Sequence, residues 1–125
     1  MPKIFNPFIL ILFFFGHALW SQPILKIEDS KKNFGFVKRG KVILFEYKIE
    51  NSGNEPLLLT DAKVGCSCTK VEIPSRPILP KEKAKIIVNF NTQTVYDRQD
   101  RLIQIFSNDK NSPATLRFKG VVINK

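Results

Sequence analysis

At 125 residues, with 20 Lys and Arg against 11 Asp and Glu for a formal charge of +9, the chain has the length of one ordinary domain. The positive balance favours anionic partners such as acidic glycans, lipid head groups or nucleic acid. Nucleic acid is excluded as the expected partner, because there is neither a basic helix nor a set of aromatics interleaved with basic residues.

The N-terminus opens with Met1, Pro2 and Lys3, then an uninterrupted apolar run from Phe8 to Phe15, then the small-residue stretch "GHALWSQ". A positive segment, a compact apolar segment and small residues at a cut site have the form of a secretory signal peptide. A membrane anchor needs about 18 or more apolar residues, and Phe5 to Trp20 is broken by Asn6, Pro7, Gly16 and His17. Residues 1–21 are therefore expected to be removed, with Ala18 as a rival cut site. Residues 22–125 would remain as a single domain, exported to the periplasm, the cell surface or the exterior. No cysteine near the cut offers a point for lipid attachment.

The same cut removes Lys3 and His17, the only histidine, and leaves 19 Lys and Arg against 11 acids, a charge of +8. Without a histidine there is no Ser-His-Asp or Cys-His nucleophile and no His-bearing zinc site. The acids are scattered in no recognisable motif. No catalytic residue, cofactor or metal centre is expected, and the protein reads as a non-enzyme.

Chain order then gives a series of short strands. Ile24–Ile27 and Asn33–Val37 are the first two. In Val42–Asn51, Ile43, Phe45, Tyr47 and Ile49 alternate with Leu44, Glu46, Lys48 and Glu50, the period of a half-buried strand. Asn51–Pro56 is a turn; Leu57–Val64 resumes extended structure and runs into "GCSC", with "TKVEI" beyond it. "PSRPILP" has three prolines in seven residues and reads as an ordered loop. From Lys81 onward, Ala84, Ile86, Val88 and Phe90 share one face, with Lys81, Lys83, Lys85 and Asn89 on the other. The three lysines make either a solvated sheet surface or an anion-binding stripe. "TQTVYDRQDR" reads as a polar connection, and Leu102–Ser107 and Ala114–Val122 as closing strands joined by the turn "NDKNSP". About seven short strands with turn signals between them, and no stretch of helical spacing, indicate an antiparallel β-sandwich.

"NFGFVKRG", then "FEYKIENSGNEPLLLTDAKVGCSCTKVEIPSRPILPKEKAKIIVNFNT", then "IQIFSNDKNSPATLRFKG" resemble the bacterial domain-of-unknown-function family 1573. The shared features are an early "FG", a strand ending in "NxG", a "CxCT", a proline-rich loop before "VxFN", and a late "SND" turn. The resemblance spans about residues 33–122. It implies an immunoglobulin-like sandwich akin to PapD, major sperm protein and ASH-type domains, which are binding or structural modules, and it implies no established activity. Two departures stand out. Ser67 takes the place of a usual glycine between the cysteines, and Pro80-Lys81-Glu82 replaces "PGE", which implies a changed loop.

Cys66 and Cys68 are the chemically distinctive pair, and three readings stay open. In an oxidising compartment a disulfide is the default. On a regular strand, however, residues two apart have Cα atoms about 6.6 Å apart, the upper edge of the range a disulfide tolerates. The backbone must then bend, with Gly65 as the candidate hinge. A three-residue loop returns only about 1.6 kcal/mol of loop entropy, so the pair is weakly motivated as a staple. A redox-responsive disulfide and a copper(I) site are the alternatives, with Lys63 and Lys70 placed to favour thiolates. The leading expectation is an interaction or scaffold module whose partners are other envelope or extracellular proteins. A thiol-redox or copper-handling protein is the second reading, and a binder of anionic glycans or membrane surfaces through Lys81, Lys83 and Lys85 the third.

Overall fold

The computed structural model describes residues 21–124. The expected signal segment, His17 included, lies outside the described residues apart from Ser21. Eight strands follow: β1 Leu25–Ile27, β2 Lys31–Lys38, β3 Val42–Asn51, β4 Leu59–Val64, β5 Thr69–Glu72, β6 Lys83–Asn91, β7 Asp97–Ser107 and β8 Ala114–Ile123. They form two four-stranded sheets, β1-β3-β6-β5 and β2-β8-β7-β4.

Alternation in the sequence becomes the two faces of each sheet. Phe45, Tyr47 and Ile49 of β3 and Ile86, Val88 and Phe90 of β6 point inward against Ile103 and Ile105 of β7 and Leu116 and Phe118 of β8, all buried. Burying each such side chain stabilises the fold by about 1.5–3 kcal/mol. Aromatic rings form the centre: Phe118 lies with its centroid 4.9 Å from both Phe45 and Phe90, and Phe34 of β2 closes the cluster at 5.7 Å from Phe90. The hydroxyl of Tyr47 crosses between the sheets and donates to the Arg117 carbonyl at 2.9 Å.

Three features depart from the expected pattern. Among the described residues there are eight strands where about seven were expected. The sandwich is not wholly antiparallel, because β2 runs parallel to β8. The N-terminal segment pairs first with β3 and then switches sheets at Glu28–Ser30, which sets β2 beside the last strand in the same direction. Finally, β7 begins at Asp97, so "DRQDR" is strand and not polar connection. Gln99 and Ile103 keep the inward phase while Arg98, Asp100 and Leu102 face out; the stretch is polar because one side is wet.

The proline-rich loop is ordered, as expected. Ile78 is buried and exchanges backbone hydrogen bonds of 2.7 and 2.8 Å with Leu57. Asn51, buried at the end of β3, donates from its side-chain amide to the carbonyls of Glu55 and Ile78 and accepts from the Gly53 N–H. A Cβ on Gly53 would come within 2.1 Å of the Gln22 carbonyl oxygen, which gives the glycine of "NxG" its physical reason.

Candidate functional site

Cys66 and Cys68 lie in the turn that carries the chain from β4, an edge of one sheet, to β5, an edge of the other. The Thr69 N–H closes the turn onto the Cys66 carbonyl at 3.2 Å. The Cα atoms of the two cysteines are 5.1 Å apart, shorter than on an extended strand, and the sulfurs are joined at 2.05 Å. The chain bends at Gly65, as expected, though not through a left-handed conformation. The glycine has an ordinary backbone angle and open space where a Cβ would sit; the turn at Ser67–Cys68 makes the reversal.

The two sulfurs differ in surroundings. Cys68 is 8% exposed and belongs to the core, whereas Cys66 is half-buried. The Cys68 N–H donates to the Cys66 Sγ at 3.1 Å, and the Cys68 sulfur lies beside the Thr69 hydroxyl. Among the described residues no group of three or more His, Cys, Asp or Glu side chains gathers to hold a metal ion. A soft ion at this turn would need the disulfide reduced first.

The strand edges next to the turn are unequal. An edge strand presents unpaired N–H and C=O groups, and three of the four edges have one such N–H covered by a side chain. The Asp109 carboxylate takes the Leu25 N–H of β1, the Asn33 side chain takes the Gly35 N–H of β2, and Asp61 takes the Ala62 N–H of β4, each at 2.8 Å. On β5 the Cys68 carbonyl receives the Asn91 N–H at 2.8 Å, and β5 then continues in register with β6. Antiparallel alternation therefore directs Lys70 and Glu72 at β6 and turns the N–H and C=O of Val71 outward. The sequence gives no warning of this edge, because nothing in "TKVE" distinguishes an edge strand from a central one.

Lys81, Lys83 and Lys85 do not form the single row expected of them. Lys81 precedes β6, in a turn with φ at 67°. Lys83 sits across from Glu50, which on its other side faces Lys26. Lys85 pairs with Glu46 at 3.3 Å. The two strand lysines thus belong to a surface of interleaved charges. On the outer side of the other sheet, Arg117 and Asp100 form a two-pronged ion pair. The Arg117 hydrogen bonds hold the Asp100 carboxyl below the usual carboxylate range, and Asp100 in turn raises Arg117.

The comparisons with known proteins agree on this architecture. A crystal structure of a protein of unknown function from Porphyromonas gingivalis W83 superposes with a TM-score of 0.73 at 15% identity, over 86% of this chain and 50% of that one. The present chain thus spans half the length of that relative. The ASH/PapD-like domain 7 of human CEP192 matches with a TM-score of 0.63 at 10% identity, over 83% of this chain and 88% of that domain. The E. coli chaperone DraB matches at 0.56 and 8% identity, over 82% of this chain and 55% of that one. At these identities the likeness establishes an immunoglobulin-like, PapD-like fold. No curated protein is matched. The family described as Protein of unknown function (DUF1573) matches residues 25–122, from the start of β1 almost to the end of β8, and the chain belongs to that family.

Proposed function

We propose that the protein is an exported, non-enzymatic interaction module of the bacterial envelope, and that it takes hold of other proteins by adding an extended segment to the edge of β5. The observation that carries this reading is the unequal edges. Where β1, β2 and β4 each have an N–H capped by a side chain, β5 leaves the Val71 N–H and C=O open, and such groups bind an incoming strand through main-chain hydrogen bonds. The PapD-like fold supports an interaction module, and the N-terminal segment of the sequence supports export.

The test is partner capture from envelope extracts, with the folded mature chain as bait. Val71→Pro removes the outward N–H at an edge where proline is tolerated. The expected outcome is a partner retained by the wild type and lost by the variant, with the β circular dichroism unchanged. An identical set of partners for both proteins would overturn strand addition at β5.

The exposure of Cys66 supports a second reading, a thiol-redox role. A thiolate of a donor protein dithiol would attack the half-exposed Cys66 sulfur and break the Cys66–Cys68 bond. Cys68 leaves as a thiolate that takes up a proton. The donor's second thiol then attacks the mixed disulfide, so the donor is oxidised to a disulfide and both cysteines end as thiols. In that state the Cys68 N–H would favour negative charge on Cys66. Equilibration in dithiol buffers tests this. A potential in the range of catalytic disulfides favours the reading, and one below about −300 mV, as for structural disulfides, rules it out.

A further inference from the structure

The outer face of the β2-β8-β7-β4 sheet carries an aromatic ring with no structural employment. Between Asn33 and Phe36 the pairing of β2 with β8 slips by a bulge. Gly35 takes φ 71° there, with its N–H held by the Asn33 side chain at 2.8 Å. The extra residue lets Phe34 enter the aromatic core while Phe36 turns outward, 75% exposed, the most exposed of the large apolar side chains among the described residues. Beneath it lies Val121 of β8, and the cleft beside the ring is lined by Arg98, Asp100, Arg117 and Lys119.

The charge around this ring is one-sided. Lys31 lies beside Arg117, Lys38 beside Ile123, and Arg98 beside Val121, so cations border Phe36 along β2, β8 and β7. The one carboxylate in the cleft, Asp100, is already engaged by Arg117. Among the described residues Arg98 and Lys119 form no direct ion pair, although Lys119 stands across from Asp100 and adds to the positive charge that holds its carboxyl low. The outer face of the other sheet differs on both counts, since its lysines alternate with Glu46 and Glu50 and its cleft has no aromatic lining.

We propose that this cleft binds an acidic polysaccharide, with a sugar ring stacked on Phe36 and the carboxylate or sulfate groups of the chain paired with Arg98 and Lys119. The free cations do not converge on a point. They are set out at strand spacings, about 4.8 Å across the sheet and about 6.6 Å along it, which suits a repeating polyanion better than one small anion. A guanidinium matches a carboxylate or sulfate in two-pronged fashion. A flat ring with an apolar face and a polar rim complements one exposed aromatic set in a polar sheet. A membrane surface would call instead for several apolar side chains on one protruding element. The proposal is independent of the β5 edge.

Binding of the mature chain to an oligogalacturonate is the test, against a carboxyl-reduced oligomer, polyglutamate of equal charge and vesicles of anionic lipid. The expected result is binding of the oligogalacturonate that weakens with salt, with at least a tenfold preference over polyglutamate and over the vesicles. Phe36→Ala and the double change Arg98→Glu with Lys119→Glu should each weaken it at least tenfold. The double change Lys83→Glu with Lys85→Glu, which alters net charge equally on the opposite face, should leave it within about twofold. Equal weakening by both double changes, indifference to Phe36→Ala, a preference for polyglutamate or vesicles, or no binding to the uronate chain would each overturn the proposal.

Discussion

Asn51 replaces several turns' worth of backbone hydrogen bonding with one side chain. Its amide donates at 2.6 and 2.9 Å to the carbonyls of Glu55 and Ile78, its oxygen accepts at 2.9 Å from Gly53, and its backbone carbonyl receives the Lys81 N–H at 2.7 Å. Asn51→Ala would take the side-chain donor from the Glu55 carbonyl, one of two donors from the Ile78 carbonyl, and the acceptor from the Gly53 N–H. The expected cost is about 2–4 kcal/mol, measured as a lower urea midpoint with an unchanged slope. Lys81 is a residue where the sequence under-reported its own consequence. The replacement of glycine in "PGE" implied only a changed loop, yet the turn is left-handed, at φ 67°, and places an exposed lysine in it. A residue with a Cβ is disfavoured there by about 1–2 kcal/mol. Lys81→Gly should therefore raise stability by roughly 1 kcal/mol after the greater unfolded-state entropy of glycine is deducted, seen as a higher urea midpoint. The turn at Asn51 was legible as "NSGNEP"; its tie to Ile78, 27 residues away, was not, because no local pattern encodes a partner that distant.

Strands β3 and β6 were legible almost to the residue, because both stand in mid-sheet with one face in the core and one in water, which writes a period of two into the sequence. The first half of β7 was hidden by its composition: Arg98, Asp100 and Arg101 read as loop chemistry, although the alternation of Leu102–Ser107 continues backwards through Gln99 without a break. That misreading also hid Arg98 and Asp100 from any account of a binding face. The parallel pairing of β2 with β8 was not legible, since it depends on the chain crossing between sheets after β1. Its side-chain consequence is specific. A Cβ on Gly120 of β8 would lie 2.3 Å from the Phe34 ring of β2. Gly120→Ala should thus force the two strands apart at the cost of about 1–3 kcal/mol. Adding Phe34→Leu to Gly120→Ala should cost less than the sum of the two single changes, because the shorter side chain relieves the clash. Additive losses in chemical denaturation would show that Phe34 is not what the glycine makes room for.

Across the whole molecule the two sheets are held mainly by apolar contact, and Tyr47 adds a polar bond between them. It belongs to β3 in one sheet, is fully buried, and donates its hydroxyl to the Arg117 carbonyl of β8 in the other at 2.9 Å. Burial first, and then the negative charge of Asp29, push its phenol well above the ordinary tyrosine value. In the unfolded chain Tyr47 ionises near pH 10, whereas in the folded chain it keeps its proton. The stability tied to this proton is therefore fully present below about pH 10 and falls as pH rises toward the folded value, since only the unfolded state gains by losing a proton. The slope of that loss is at most about 1.4 kcal/mol per pH unit. Tyr47→Phe keeps the ring and removes the titrating group together with its hydrogen bond to the Arg117 carbonyl, so it should cost about 1 kcal/mol at neutral pH. All other groups are common to both proteins, and the difference between them isolates Tyr47. Urea unfolding of wild type and variant from pH 7 to 11 should show two curves that converge above pH 10. Curves that stay parallel would mean that the phenol ionises as readily in the folded sandwich as in the unfolded chain, and that the bond between the sheets opens to water without cost.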